Sequence, residues 1–97
     1  MIQRTVLLKF AETTTQEQME EVIKRFKALE KAITGVVEVQ AAFNLSEKSK
    51  EYQVILMVRF ENVAAVEAYT INEQHQEVAA FIREVGRLDS IGVDIEI

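Results

Sequence analysis

Hydrophobic and polar positions alternate from the first residues. Ile2, Val6, Leu8 and Phe10 share one parity with Arg4, and Gln3, Thr5, Leu7 and Lys9 share the other. Period-two alternation with β-branched residues predicts a strand. Thr13, Thr14 and Thr15 end the pattern. Thr14 with Glu17, or Thr15 with Gln18, has the spacing of a capping box, so a helix starts at one or the other. Met19, Val22, Ile23, Phe26, Leu29 and Ile33 then recur at intervals of three and four, which lays them along one helical face. Glu and Lys fill the remaining positions as a solvated face. Glu20–Lys24 and Glu21–Arg25 have the spacing and order of helical ion pairs. Gly35 falls where a left-handed C-terminal cap belongs.

Alternation returns from Val36 to Asn44, with Val37, Val39, Ala41 and Phe43 against Glu38, Gln40 and Ala42. The polar stretch Leu45 to Glu51 reads as a mobile connection. From Tyr52 to Phe60 the alternation is strongest: Val54, Leu56, Val58 and Phe60 oppose Gln53, Ile55, Met57 and Arg59. Asn62 can cap a helix running through Tyr69, and Asn72 a second one in which Ile71, His75, Val78, Ile82 and Val85 share a face. Gly86 allows an exit, and Ile91, Val93, Ile95 and Ile97 alternate in a last strand. The order is β–α–β–β–α–β, with the second helical stretch in one piece or two. This predicts an α+β, ferredoxin-like fold, with a four-stranded antiparallel sheet and helices on one face. A length of 97 residues gives one domain over residues 1–97.

That arrangement leaves one sheet face uncovered. It carries Leu7, Ile55 and Met57 among Gln3, Thr5, Lys9, Gln53 and Arg59. Antiparallel sheets can present a semi-polar face to water. Adjacent apolar side chains are a patch that monomers tend to avoid, so a twofold dimer through these faces is expected.

Composition narrows the function classes. With 11 basic and 16 acidic side chains the net charge is −5, which argues against nucleic acid or an anionic membrane as main partner. There is no Cys, which excludes disulfides, thiolate metal sites and cysteine nucleophiles. No apolar run reaches the roughly 18–20 residues of a membrane span. Arg4 and Lys9 interrupt the apolar start and no small-residue cleavage site follows, so the expected location is the cytoplasm. No glycine-rich phosphate loop occurs, and one His cannot build a His/Cys metal centre, so neither cofactor nor metal is expected.

Candidate chemistry rests on few residues. The single His, His75, sits on an apolar helical face, where a hydrogen-bonded core histidine is the ordinary reading. Tyr69 and Asn72 precede it by six and three positions, and residue 72 shares its face. Arg4 lies on the strand parity that faces the helices, where an unpaired guanidinium costs several kcal/mol. It can pair with a helix Glu, reach water at a frayed end, or share the polar end of a pocket with Tyr69 and His75. Phe26 and Val58, on the helix and strand faces that meet, would wall such a pocket.

The order of short motifs resembles the stress-responsive A/B barrel (Dabb) family over essentially the whole chain. The likeness is carried by Val6-Leu7-Leu8-Lys9-Phe10, the Thr-rich cap, Ile33-Thr34-Gly35-Val36 and the Asn44-Leu45-Ser46 turn. It continues through Arg59-Phe60-Glu61, Ala68-Tyr69 and the His-containing helix. The resemblance implies a homodimer whose two sheets close into a dimeric α+β barrel. It also brings in stress-induced proteins without assigned activity and a cofactor-free polyketide cyclase that uses a Tyr and two His. Tyr69 and His75 stand at the Tyr and helix-His positions, and Arg4 stands at the strand-His position. Asn72-Glu73 replaces a common His-Pro pair. Arg stays protonated near neutral pH and cannot serve as a base, whereas a fixed cation suits an acidic ligand.

Two functional readings follow. One is a homodimeric module that binds a small apolar or acidic molecule through Arg4, Asn72, Phe26 and Val58. The other is a cofactor-independent enzyme of cyclase, isomerase or monooxygenase type, with His75 and Tyr69 as catalytic residues.

Overall fold

The computed structural model describes residues 1–97. Strand β1 (Ile2–Phe10) leads into helix α1 (Gln16–Lys27) and the single turn α2 (Leu29–Ala32). Strands β2 (Val36–Phe43) and β3 (Val54–Phe60) follow, then helices α3 (Val63–Ile71) and α4 (Glu73–Glu84), and strand β4 (Arg87–Glu96). The sheet order is β2-β3-β1-β4, antiparallel throughout, which is the ferredoxin-like arrangement. No helix is long and apolar enough to cross a membrane.

Local chemistry sets the boundaries. Of the two possible caps, Thr15 is the one used: its hydroxyl accepts from Gln18 N at 3.1 Å and Gln18 Oε1 accepts from Thr15 N at 2.9 Å. Thr14 is buried instead, and its hydroxyl donates to the Val85 carbonyl at 2.6 Å. The first helix breaks at Ala28, yet Val22, Phe26, Leu29 and Ile33 all stay in the core, so the apolar stripe survives the break. Glu21 pairs with Arg25 at 2.8 Å; Glu20 and Lys24 do not come within pairing distance.

The core lies between one sheet face and the helices. Leu8, Phe10, Val39, Ala41, Val54, Leu56, Val58 and Phe60 contribute from the strands. Val37 leaves the expected alternation: the β2–β3 register shifts between Val36 and Glu38, and Val37 is exposed. The connection after β2 is also more ordered than its composition implies. Asn44 Nδ2 donates to the Ser49 and Tyr52 carbonyls, both at 2.9 Å, and encloses a 3-10 turn at Glu47–Ser49.

Two expectations at the C-terminal half are corrected. Ile71 is 77% exposed at the end of α3 and does not belong to the stripe of α4. The reason is Asn72, whose extended backbone (ψ 132°) breaks the helical phase between them. The last strand begins at Arg87 rather than Ile91. Its early residues, Leu88 among them, are exposed, so burial periodicity does not mark them.

The uncovered face is wider than Leu7, Ile55 and Met57. Across the strands, Ala42, Ile55, Leu7 and Ile91 form one row, and Gln40, Met57, Thr5 and Val93 the next. Ile95 stands opposite Gln3 in a third row. The isoleucines and valine of β4 are about half exposed and extend the apolar surface to the sheet edge.

Candidate functional site

A cavity of about 140 Å³ lies between the helix-facing side of the sheet and α4. Its floor is Arg4, Val6 and Leu8 of β1 with Leu56 and Val58 of β3. Phe26 and the α4 residues Val78, Ala79 and Ile82 close the helix side. Tyr69 and His75 stand at one place on the wall, and Arg87 and Ser90 of β4 at another. A larger open groove of about 660 Å³ runs along β2 and onto the uncovered face at Ile55 and Met57. It contains neither His75 nor Tyr69, so the smaller cavity is the one that joins the candidate residues.

Asn72 organises the pair. It ends α3, with its N–H donating to the Tyr69 carbonyl at 3.1 Å, and it starts α4, with its side-chain oxygen accepting from Gln74 N and His75 N. One residue thus couples the last turn of one helix to the first turn of the next. Tyr69 and His75 face each other across the break, with ring centroids 4.0 Å apart and planes at 32°. Phe60 packs edge-on against Tyr69 at 5.0 Å, and the Arg4 guanidinium lies 5.9 Å from the Phe60 ring centre. Asn72 does not itself line the cavity.

Arg4 pairs with a strand carboxylate rather than a helix Glu, and its side chain stays 27% exposed to water. Its Nε and Nη2 donate to the two carboxylate oxygens of Asp94, at 2.8 and 3.1 Å, across the β1–β4 ladder where Arg4 and Asp94 are paired. This bidentate bond holds the Asp94 carboxyl below its ordinary range. The Arg4 charge is therefore largely met within the protein.

His75 Nδ1 is buried and has no hydrogen-bond partner. Burial, and secondarily the nearby Arg4 charge, lower the imidazole pKa below its ordinary value of 6.5, while the Thr70 and Tyr69 carbonyls oppose the shift. The position in the first turn of α4 acts in the same sense as burial, because helix N-termini disfavour cations. Burial raises the Tyr69 phenol well above its ordinary range, so it stays protonated. The wall thus offers a neutral imidazole and a neutral phenol, one able to accept a proton and the other able to donate a hydrogen bond.

The lowered His75 pKa has a measurable consequence. The unfolded chain takes up a proton near pH 6.5 while the folded chain resists it, so stability is retained above 6.5 and declines as pH falls from there through the folded value. Urea midpoints measured between pH 7.5 and 5.5 should fall further for the wild type than for His75→Phe. Equal slopes would contradict the buried, unpartnered state.

Arg87 and Ser90 were not legible as site residues. In a regular strand Arg87 would share the parity of Asp89 and Ile91 and point away from the helices. The β1–β4 register shifts between Lys9 and Phe10, so Arg87 pairs with Phe10 and turns to the helix side. Gln53 marks the irregularity, its Oε1 accepting from Phe10 N at 2.9 Å. The paired Gly86-Arg87 after a helix was the one available signal.

Comparison with known proteins decides the family. The model of the Stress responsive A/B Barrel Domain (Dabb) matches residues 2–97. The chain belongs to the Dabb family. Olivetolic acid cyclase of Cannabis sativa is 30% identical over 76 residues, which are 76% of this chain and 75% of that enzyme. Among solved structures, an Arabidopsis thaliana protein superposes with a TM-score of 0.87 at 21% identity, covering 100% of this chain and 95% of that one. A dimeric ferredoxin-like protein of unknown function from Thermobifida fusca gives 0.86 at 21% identity, covering 99% and 90%. These likenesses establish the Dabb fold, with its sheet backed by helices on one side. No group of three or more His, Cys, Asp or Glu side chains converges in this Dabb chain.

Proposed function

We propose that this Dabb protein is a homodimer that binds a small, mostly apolar molecule bearing an oxygen function, in the cavity against α4. The observation that carries this reading is a largely apolar cavity whose wall brings His75 and Tyr69 together at one place. The volume of about 140 Å³ matches a single ring, since a cavity of about 150 Å³ accepts benzene. Arg4, Phe26 and Val58 act as wall and floor, and Asn72 acts by holding His75 in place.

Dimerisation is part of the same proposal. Leu7, Ile55, Met57, Ile91, Val93 and Ile95 form a continuous apolar face, and each fully buried side chain gains about 1.5–3 kcal/mol. The Thermobifida fusca protein of the same fold is described as dimeric.

Phenol is a direct probe. At tenfold excess over its Kd it should stabilise the wild type by about 1.4 kcal/mol, which raises Tm by several degrees. Ala79→Phe fills the cavity and should abolish the response. A Tm unmoved by millimolar phenol in the wild type would contradict the binding reading.

The neutral His75 beside a protonated Tyr69 also favours a second reading, cofactor-independent acid–base catalysis. The sequence similarity to olivetolic acid cyclase supports it. Its test is deuterium exchange at the α-carbon of cyclohexanone, followed by NMR. Catalysis requires faster exchange with the wild type than with His75→Ala, and equal rates reject it.

A further inference from the structure

The cavity has a second polar end that the acid–base pair does not use. Arg4, Arg25 and Arg59 each face a carboxylate, at 2.8, 2.8 and 3.3 Å. Arg87 borders the cavity and has no carboxylate within 4.0 Å; Asp89, its near neighbour, is engaged by the Tyr52 hydroxyl at 2.7 Å. The register shift opposite Phe10 is what turns Arg87 to this side, and Ser90 stands beside it opposite Leu8. Between this end and the Arg4–Asp94 pair lies Gly92, opposite Val6, where no side chain intrudes. The strand register separates the Arg4 and Ser90 rows by four residues, about 13 Å of β1.

The two arginines are therefore not equivalent. Arg4 is already neutralised by Asp94, so an anionic group placed there would compete with a bidentate partner at 2.8 Å. Arg87 keeps its full complement of donors and its net charge. We propose that Arg87, with Ser90, is the specificity-determining residue of the cavity and selects small apolar acids whose carboxylate meets the guanidinium while the apolar body runs toward Tyr69 and His75. This rests on the ligand-binding reading and names its ligand class. It also reverses the expectation that Arg4 is the cation for an acidic ligand.

Benzoate and benzamide test it, because they share size and shape and differ in charge. Their affinities are read by NMR titration of the wild type, Arg87→Gln and Arg87→Lys. The wild type should bind benzoate at least tenfold more tightly than benzamide at low salt. Arg87→Gln should reduce benzoate affinity about tenfold and benzamide affinity less than threefold, and Arg87→Lys should restore most of the preference. Equal wild-type affinity for both probes would overturn the role of Arg87 while leaving the cavity as a binding site. Failure of both probes to bind would overturn the binding reading itself.

Discussion

Val93→Asp should convert the protein from twice the 11.1 kDa chain mass to a single chain, with its secondary structure intact. Val93 is 54% exposed in the protomer, so the substitution disturbs the partner face and not the core. In a face-to-face dimer it acts in both subunits. Each loses about 1 kcal/mol of apolar burial, since Val93 is already half-buried in the protomer, and adds a carboxylate without a partner, which costs several kcal/mol more. A total of about 6 kcal/mol or more weakens Kd by about four orders of magnitude. Light scattering at micromolar concentration gives the mass, and far-ultraviolet circular dichroism checks the fold. An unchanged doubled mass would place the interface elsewhere.

Gly86→Ala should be strongly destabilising. Gly86 has φ 119°, a conformation that side chains rarely adopt, and a Cβ there runs into Thr14 Oγ1. That hydroxyl is buried and donates to the Val85 carbonyl at 2.6 Å, while the Gly86 carbonyl accepts from Ala11 N at 2.9 Å. The substitution therefore strains the backbone and displaces a buried hydrogen bond at the point that ties α4 to the start of the chain. The expected cost is about 2–4 kcal/mol, or a fall in Tm of about 10–25 °C at fixed concentration. Gly92→Ala is the control. Its Cβ would meet Val6 Cγ2 at 3.8 Å, an ordinary contact, and it has no positive φ. Similar losses at both glycines would contradict the account of Gly86.

The fold was legible because burial periodicity and capping chemistry agree along most of the chain. Thr15, Asn62 and Asn72 all accept from the backbone amides that their positions imply. Legibility failed where the pleat is interrupted. Val37 and Arg87 both sit at register shifts, and a shift of one residue reverses which face a side chain meets. The partner of Arg4 was hidden for a different reason. Asp94 lies ninety residues away in sequence, and only the β1–β4 register brings the two together. Tyr69, Asn72 and His75 stood out because a single Asn cap between two helices makes their spacing structural. No periodicity in the chain indicates that His75 Nδ1 is left without a partner, since that depends on what the surrounding elements fail to supply.

His75 offers the most direct test of the binding account, because a single histidine gives one imidazole spin system. The ring nitrogens are observed by long-range proton–nitrogen correlation at pH 7, with and without saturating phenol. The account predicts a neutral ring in the free protein and a displacement of the imidazole resonances when phenol binds beside it. A ring already protonated at pH 7, or nitrogen shifts unchanged at saturation, would contradict it.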